Sequence, residues 1–153
     1  MAALNLIRLG RMTGSPGLTE KAAEVAKAFS KRIKAYPSAY TQFLAALEFM
    51  IGPSHQIVIT GDLKRETARA MVHAVHRAFL PNKVLLSRRN AEPEARMDHL
   101  APEVQGLAQT DALPAVYLCH DSVCGGALTT VSKLLTALRE AGAVTGVAEA
   151  HAG

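Results

Sequence analysis

The sequence predicts a mixed α/β fold: N-terminal helical hairpins, then a small βαβ unit, a β-hairpin and a C-terminal helix. Two observations carry this. Residues 36–62, YPSAYTQFLAALEFMIGPSHQIVITGD, pass from a helix-patterned apolar run through Gly52-Pro53 into a β-branched run. The apolar period changes there from that of a helix to that of a strand. Beyond that point, strand-, helix- and strand-patterned segments follow one another with short joints. That is a βαβ signature, whose two strands run parallel.

Each element has its own signal. Residues 2–12 place Leu4, Leu6, Ile7 and Leu9 on one stripe of a short helix, and Thr13-Gly14-Ser15-Pro16-Gly17 breaks it. Residues 18–35 form a second helix through Ala22, Val25, Ala26, Phe29 and Ile33. Its last turns carry Lys31, Arg32 and Lys34, cations that suit the negative end of the macrodipole. Tyr36-Pro37-Ser38 stops it, and Ser38 is the expected N-cap of a third helix. That helix is apolar on more than one side through Phe43, Leu44, Ala46, Leu47, Phe49, Met50 and Ile51, so something beyond its two neighbours is expected to cover it.

Residues 55–60 read as the first strand and end at Gly61-Asp62. Asp62 is the expected N-cap of an amphipathic helix over residues 64–79, built on Ala68, Met71, Val72, Val75 and Phe79. Residues 83–87 are the second strand. Residues 88–112 are polar and irregular, with one helical turn expected near 97–100. A third strand over 115–119 turns back through Val123-Cys124. Thr129 or Thr130 then starts a last helix with Val131, Leu134, Leu135 and Leu138 toward the sheet. From about Gly142 the pattern is lost and a frayed tail is expected. The expected division is a helical segment over 1–52, a small α/β domain over 53–141 and a tail over 142–153.

Composition bounds the function. At 153 residues, with 49% hydrophobic and 20% charged residues, the chain has a globular composition. Its apolar runs fall far short of a spanning helix, and no signal peptide is expected. A cytoplasmic protein without membrane contact is the expectation. The net charge is +4, but the basic residues are scattered, aromatic residues are 5% and Trp is absent. Stacking platforms are therefore scarce, and nucleic acid is not an expected partner.

Few residues suggest chemistry. Cys119 and Cys124 bracket His120-Asp121-Ser122-Val123. A two-residue turn at Asp121-Ser122 sets Cys119 opposite Cys124 as a non-hydrogen-bonded pair, the closer antiparallel arrangement. Two reduced thiols packed in a hairpin are the first reading. A reversible disulfide and a metal site completed by His120 are the alternatives, the latter one ligand short of a closed zinc site. His73 and His76 share a helix face without a third ligand at recognisable spacing, so no metal is expected there. Thr60-Gly61-Asp62 lies where a strand opens into a helix, but it lacks a phosphate-loop pattern and reads as capping. Glu48 stands in an otherwise apolar helix, either as its exposed edge or as a buried acid.

Several motifs together resemble a known family. They are Tyr36-Pro37-x-Ala39-Tyr40, Gly52-Pro53 leading into the Ile-Val strand, Phe79-Leu80-Pro81-Asn82-Lys83, and Tyr117-x-Cys119 with Cys124. They resemble the C-terminal portion of the spermatogenesis-associated, YyaL-like thioredoxin-domain-containing proteins, over residues 2–138. The resemblance implies a parent protein with a thioredoxin-like domain, which has no counterpart here, and an α/α toroid of the six-hairpin glycosidase or sugar-epimerase type. This chain would hold the toroid's last helices and the α/β appendage that follows them. One departure is visible: His120-Asp121-Ser122 and Gly125-Gly126 stand where relatives tend to have an Asn-Phe-Thr-like tip and a Pro after the second Cys.

The expectation is a structural or interaction segment of a larger protein, without a catalytic site or cofactor of its own. Its partners would be the other domains of that protein or a second copy. The alternatives are a wall of a carbohydrate-active toroid using Tyr36, Tyr40 and Glu48, and a thiol-redox or metal-binding hairpin at Cys119, His120 and Cys124.

Overall fold

The computed structural model describes residues 2–88, 100, 101, 104, 107, 113–120 and 123–145. Helices α1 (Ala2–Thr13) and α2 (Pro16–Ala35) form a hairpin. A 3-10 turn (Pro37–Tyr40) leads into α3 (Thr41–Ile51). Then come β1 (His55–Thr60), α4 (Glu66–Arg77), β2 (Ala78–Phe79) and β3 (Lys83–Arg88). The last elements are β4 (Ala115–His120), β5 (Val123–Cys124), α5 (Val131–Glu140) and β6 (Val144–Thr145).

The main sheet has the order β3-β1-β4-β5. β1 and β3 are parallel, from His55↔Lys83 to Thr60↔Arg88, as a βαβ unit requires. β4 runs antiparallel to β1, pairing Gln56 with Cys119, which makes the sheet mixed. Side chains alternate between the two faces of a strand. Ile57, Ile59 and Val116 therefore point to one side, where they pack with Met71 and Val75 of α4 and Leu134 and Leu138 of α5. Val58, Leu86, Tyr117 and Cys119 point to the other side and pack with Ala101 and Val104. Ile7, Ala22 and Phe49 of the three N-terminal helices share a cluster with Val84 of β3, so these helices pack against the β3 side of the sheet.

Four local readings differ from the sequence expectations. Ser38 does not cap α3: Pro37 starts a 3-10 turn, and the helix begins only at Thr41, behind Tyr40, with no side-chain cap bond. Asp62 does not cap α4 either. Its Oδ1 accepts from the Lys64 amide at 2.9 Å and its carbonyl from the Arg65 amide at 3.1 Å, so it builds a turn ahead of the helix. α4 also stops earlier than expected, because Ala78–Phe79 leaves the helix to pair with Val144–Thr145. Those two residues, expected in a frayed tail, are a strand. Thr130, by contrast, caps α5 as expected, its Oγ1 accepting from the Lys133 amide at 3.3 Å. Residues 97–99 of the helical turn expected at 97–100, and the Asp121-Ser122 hairpin tip, lie outside the described residues.

Candidate functional site

The feature with the most chemistry is the row of side chains that crosses the sheet at Val84, Gln56, Cys119 and Cys124. These four are successive register partners on β3, β1, β4 and β5. The Gly125 amide donates to the Leu118 carbonyl at 2.9 Å, which makes Cys119↔Cys124 a non-hydrogen-bonded pair. The two sulfurs are bonded in a disulfide, with the Cα atoms 3.9 Å apart. The bridge replaces the reduced pair that was the first reading of the sequence. It also removes both thiolates as metal ligands, and among the described residues no group of three or more His, Cys, Asp or Glu side chains is placed to hold a metal ion.

The turn between α1 and α2 stands over this row and encloses a cleft of about 200 Å³. Gln56, Val84 and Cys119 contribute to its floor, and Gly10, Arg11, Ser15 and Thr19 to its wall, with Ser54 and His55 at the strand end. Two local features set the wall. The Gln56 amide donates from Nε2 to the Arg11 carbonyl at 3.3 Å, tying α1 to β1. Gly10 lets α1 and α2 approach closely, since a Cβ there would lie 2.8 Å from Thr19 Oγ1. Ser15, at the N-cap of α2, makes no side-chain cap bond, and the Arg11 Nε is buried without a hydrogen-bond partner among the described residues. Among the described residues, no carboxylate lines the cleft.

His120 lies on the opposite face of β4 from Cys119, so it does not complete a Cys-Cys-His set. Its Nδ1 donates to the Ser54 carbonyl at 3.0 Å, and its ring packs against His55 with centroids 5.2 Å apart. A second hollow of about 400 Å³, lined by His55, His120, Leu118, Glu140 and again Cys119, opens beside them. His73 and His76 are both exposed on α4.

The toroid-wall candidates are spread along the helical layer. Tyr36 is 69% exposed at the end of α2. Tyr40 lines an apolar groove of about 340 Å³ with Ala3, Val25, Phe29 and Phe43. Glu48 lies two turns further along α3, where its Oε1 accepts from Asn82 Nδ2 at 2.8 Å. Only Tyr40 of the three lines the groove.

Sequence reasoning missed Arg11 and Gln56. The only signal was their position beside the Gly14-Ser15-Pro16-Gly17 break and at the start of β1, and neither suggests that the two segments meet.

Comparison with known proteins finds spermatogenesis-associated protein 20 from Homo sapiens, 29% identical over 134 residues, covering 88% of this chain and 17% of that protein. The protein of the same name from Rattus norvegicus is 28% identical over 140 residues, covering 92% of this chain and 18% of the relative. That from Mus musculus is 27% identical with the same coverage. The chain thus spans less than a fifth of the length of the curated relatives it matches. No family model matches the chain, and no solved structure matches it. The similarity therefore runs along about nine-tenths of this chain and is to a segment of spermatogenesis-associated protein 20.

Proposed function

We propose that this chain is a structural and interaction segment of a longer protein, and that its helical layer docks on the remainder of that protein. The observation that supports this is the apolar groove between the start of α1, the middle of α2 and the start of α3. It is lined by Ala2, Ala3, Val25, Phe29, Tyr40 and Phe43. Phe29 is 42% exposed there, with its ring centroid 6.4 Å from that of Phe43. Leu44 and Ile51 leave further apolar surface open on α3. Contiguous exposed apolar surface of this kind marks a contact site. The occupant is the helical part of the longer protein, because the relatives carry more than four-fifths of their length outside the matched segment.

A solvatochromic dye that fluoresces in apolar grooves tests the reading. Binding that Phe29→Ser abolishes, with the fold intact by circular dichroism, supports it. A chain that binds no dye contradicts it.

A second reading, thiol-redox chemistry at Cys119 and Cys124, is favoured by the formed bridge. The bridge spans a sequence separation of only 5, so it closes a short loop and contributes less chain-entropy stabilisation than a long-range bridge does. Reduction under native conditions, followed by thiol counting, tests this: two thiols in a folded chain support it, and a bridge that opens only on unfolding contradicts it.

A further inference from the structure

We infer that the cleft over the sheet is a thiol–disulfide exchange site for a small anionic thiol, a peptide thiol bearing carboxylates, and that Cys119 is the sulfur attacked. The inference rests on the redox reading of the bridge and adds the substrate class and the direction of approach. Three observations carry it.

The first is access. Cys119 is 2% exposed, yet it lines both the cleft under the α1–α2 turn and the hollow beside His120. Cys124 lines neither. An incoming sulfur inside the cleft therefore meets Cys119 first.

The second is charge. Among the described residues, Arg11 is the charged side chain of the cleft, accompanied by the hydroxyls of Ser15, Thr19 and Ser54 and by no carboxylate. Its Nε lacks an acceptor among the described residues. A guanidinium that lines a cleft favours a ligand carboxylate, which its N–H groups meet with charge-assisted bonds.

The third is the leaving group. Cys124 is half-buried at the sheet edge, on a two-residue strand, and water reaches it better than it reaches Cys119. Exchange runs faster when the departing thiolate is stabilised.

The step balances. The thiolate of the small thiol attacks Cys119 Sγ, a new S–S bond forms, and the Cys119–Cys124 bond breaks. Its electron pair leaves on Cys124 Sγ, which takes a proton from water. A second small thiolate attacks the sulfur of the first small thiol in the mixed disulfide, releasing the oxidised small disulfide and Cys119 as a thiolate. Two small thiols are oxidised and the protein bridge is reduced.

The test uses the full chain with glutathione as the anionic probe and cysteamine as the cationic one. Each rate is divided by the same thiol's rate with a small uncharged disulfide, which removes differences in intrinsic reactivity. Glutathione is expected to be favoured by about threefold or more at low ionic strength, with the preference shrinking as salt screens it. Peptide mapping of the acid-quenched mixed disulfide is expected to place glutathione on Cys119. Arg11→Gln is expected to remove the preference and Arg11→Lys to keep most of it. Lys27→Gln, which removes one positive charge from an exposed site further along α2, is expected to leave the preference in place. Glutathione trapped on Cys124, or equal normalised rates for the two thiols, overturns the exchange site while leaving a reducible bridge. A bridge inert to both thiols in the folded chain overturns the redox reading along with it. The thiol comparison and the mapping need no variant, so a poorly folded Arg11→Gln protein does not block the test.

Discussion

Asn82 Nδ2 lies 2.8 Å from Glu48 Oε1 and 3.3 Å from the Pro53 carbonyl, and ties the end of α3 to the turn that launches β3. Asn82 takes the left-handed conformation, φ 58°, which Asn tolerates better than most residues. Its carbonyl also accepts from the His55 amide at 3.1 Å, at the first residue of β1. The side chain thus ties the helical layer to the Gly52-Pro53 passage, and the backbone of the same buried residue ties both to the parallel strand pair.

Replacement of Asn82 is therefore expected to loosen the tie between α3 and the Gly52-Pro53 passage while the backbone bond to His55 remains. Asn82→Ala loses the bonds to Glu48 and Pro53 and keeps an unfavourable φ, at a cost of about 1–3 kcal/mol. Glu48→Gln keeps an acceptor oxygen and is expected to cost less. Glu48→Ala and Asn82→Ala share one interaction, so the double variant is expected to lose less than the sum of the two. Urea unfolding of the four variants checks this; strict additivity would show that the contact is not made.

Gly61 and Gly17 offer a contrast within one chain. Gly61 has φ 105°, and a Cβ there would stand 3.0 Å from Pro114 Cα. Gly17 is in the first turn of α2, and a Cβ there would meet nothing within 4 Å. Gly61→Ala is expected to destabilise by about 1–3 kcal/mol. Gly17→Ala is expected to be neutral or to stabilise by up to about 1 kcal/mol. Thermal unfolding of the two variants reads the opposite signs; equal effects would mean the backbone at Gly61 is not held as described.

Lys83 gives a pH dependence. Its ammonium donates to the carbonyls of Val75 and, at 2.6 Å, Ala78, at the C-terminal end of α4, where a cation suits the macrodipole. Burial pushes its pKa below the ordinary 10.5. Between the lowered folded value and 10.5 the unfolded chain binds more protons, so stability rises with pH across that window. Relative to Lys83→Met, which has no ammonium, the wild-type chain is expected to gain stability as pH approaches 10.5 from below. Chemical denaturation at a series of alkaline pH values measures the difference; one that stays flat or falls contradicts the burial.

Much of the fold could be read from the sequence because it is written in local periods. Ile57-Val58-Ile59, Val116-Tyr117-Leu118 and the α4 stripe of Ala68, Met71 and Val75 behave as their spacing predicts. The opposition of Cys119 and Cys124 followed from the expected two-residue turn at Asp121-Ser122, since loop length sets the register of a hairpin. The antiparallel sense of β4 against β1 was not legible, because the long polar segment before it hides the direction of return. The pairing of Ala78–Phe79 with Val144–Thr145 was missed because two residues carry no period, and Phe79 continues the helical stripe of α4. Glu48 with Asn82, and Arg11 with Gln56, meet across 34 and 45 residues of chain. Such contacts depend on tertiary packing and leave no mark in spacing.

The apolar face of the helical layer is the core of the functional account, and light scattering across a concentration series measures its consequence directly. A face built for burial associates with itself when its partner is absent. The mean mass of the chain is therefore expected to rise with concentration, and to fall back to that of a single chain when Phe29 and Ile51 are replaced together by Ser. A mass that stays at one chain throughout, with or without those substitutions, would contradict the account.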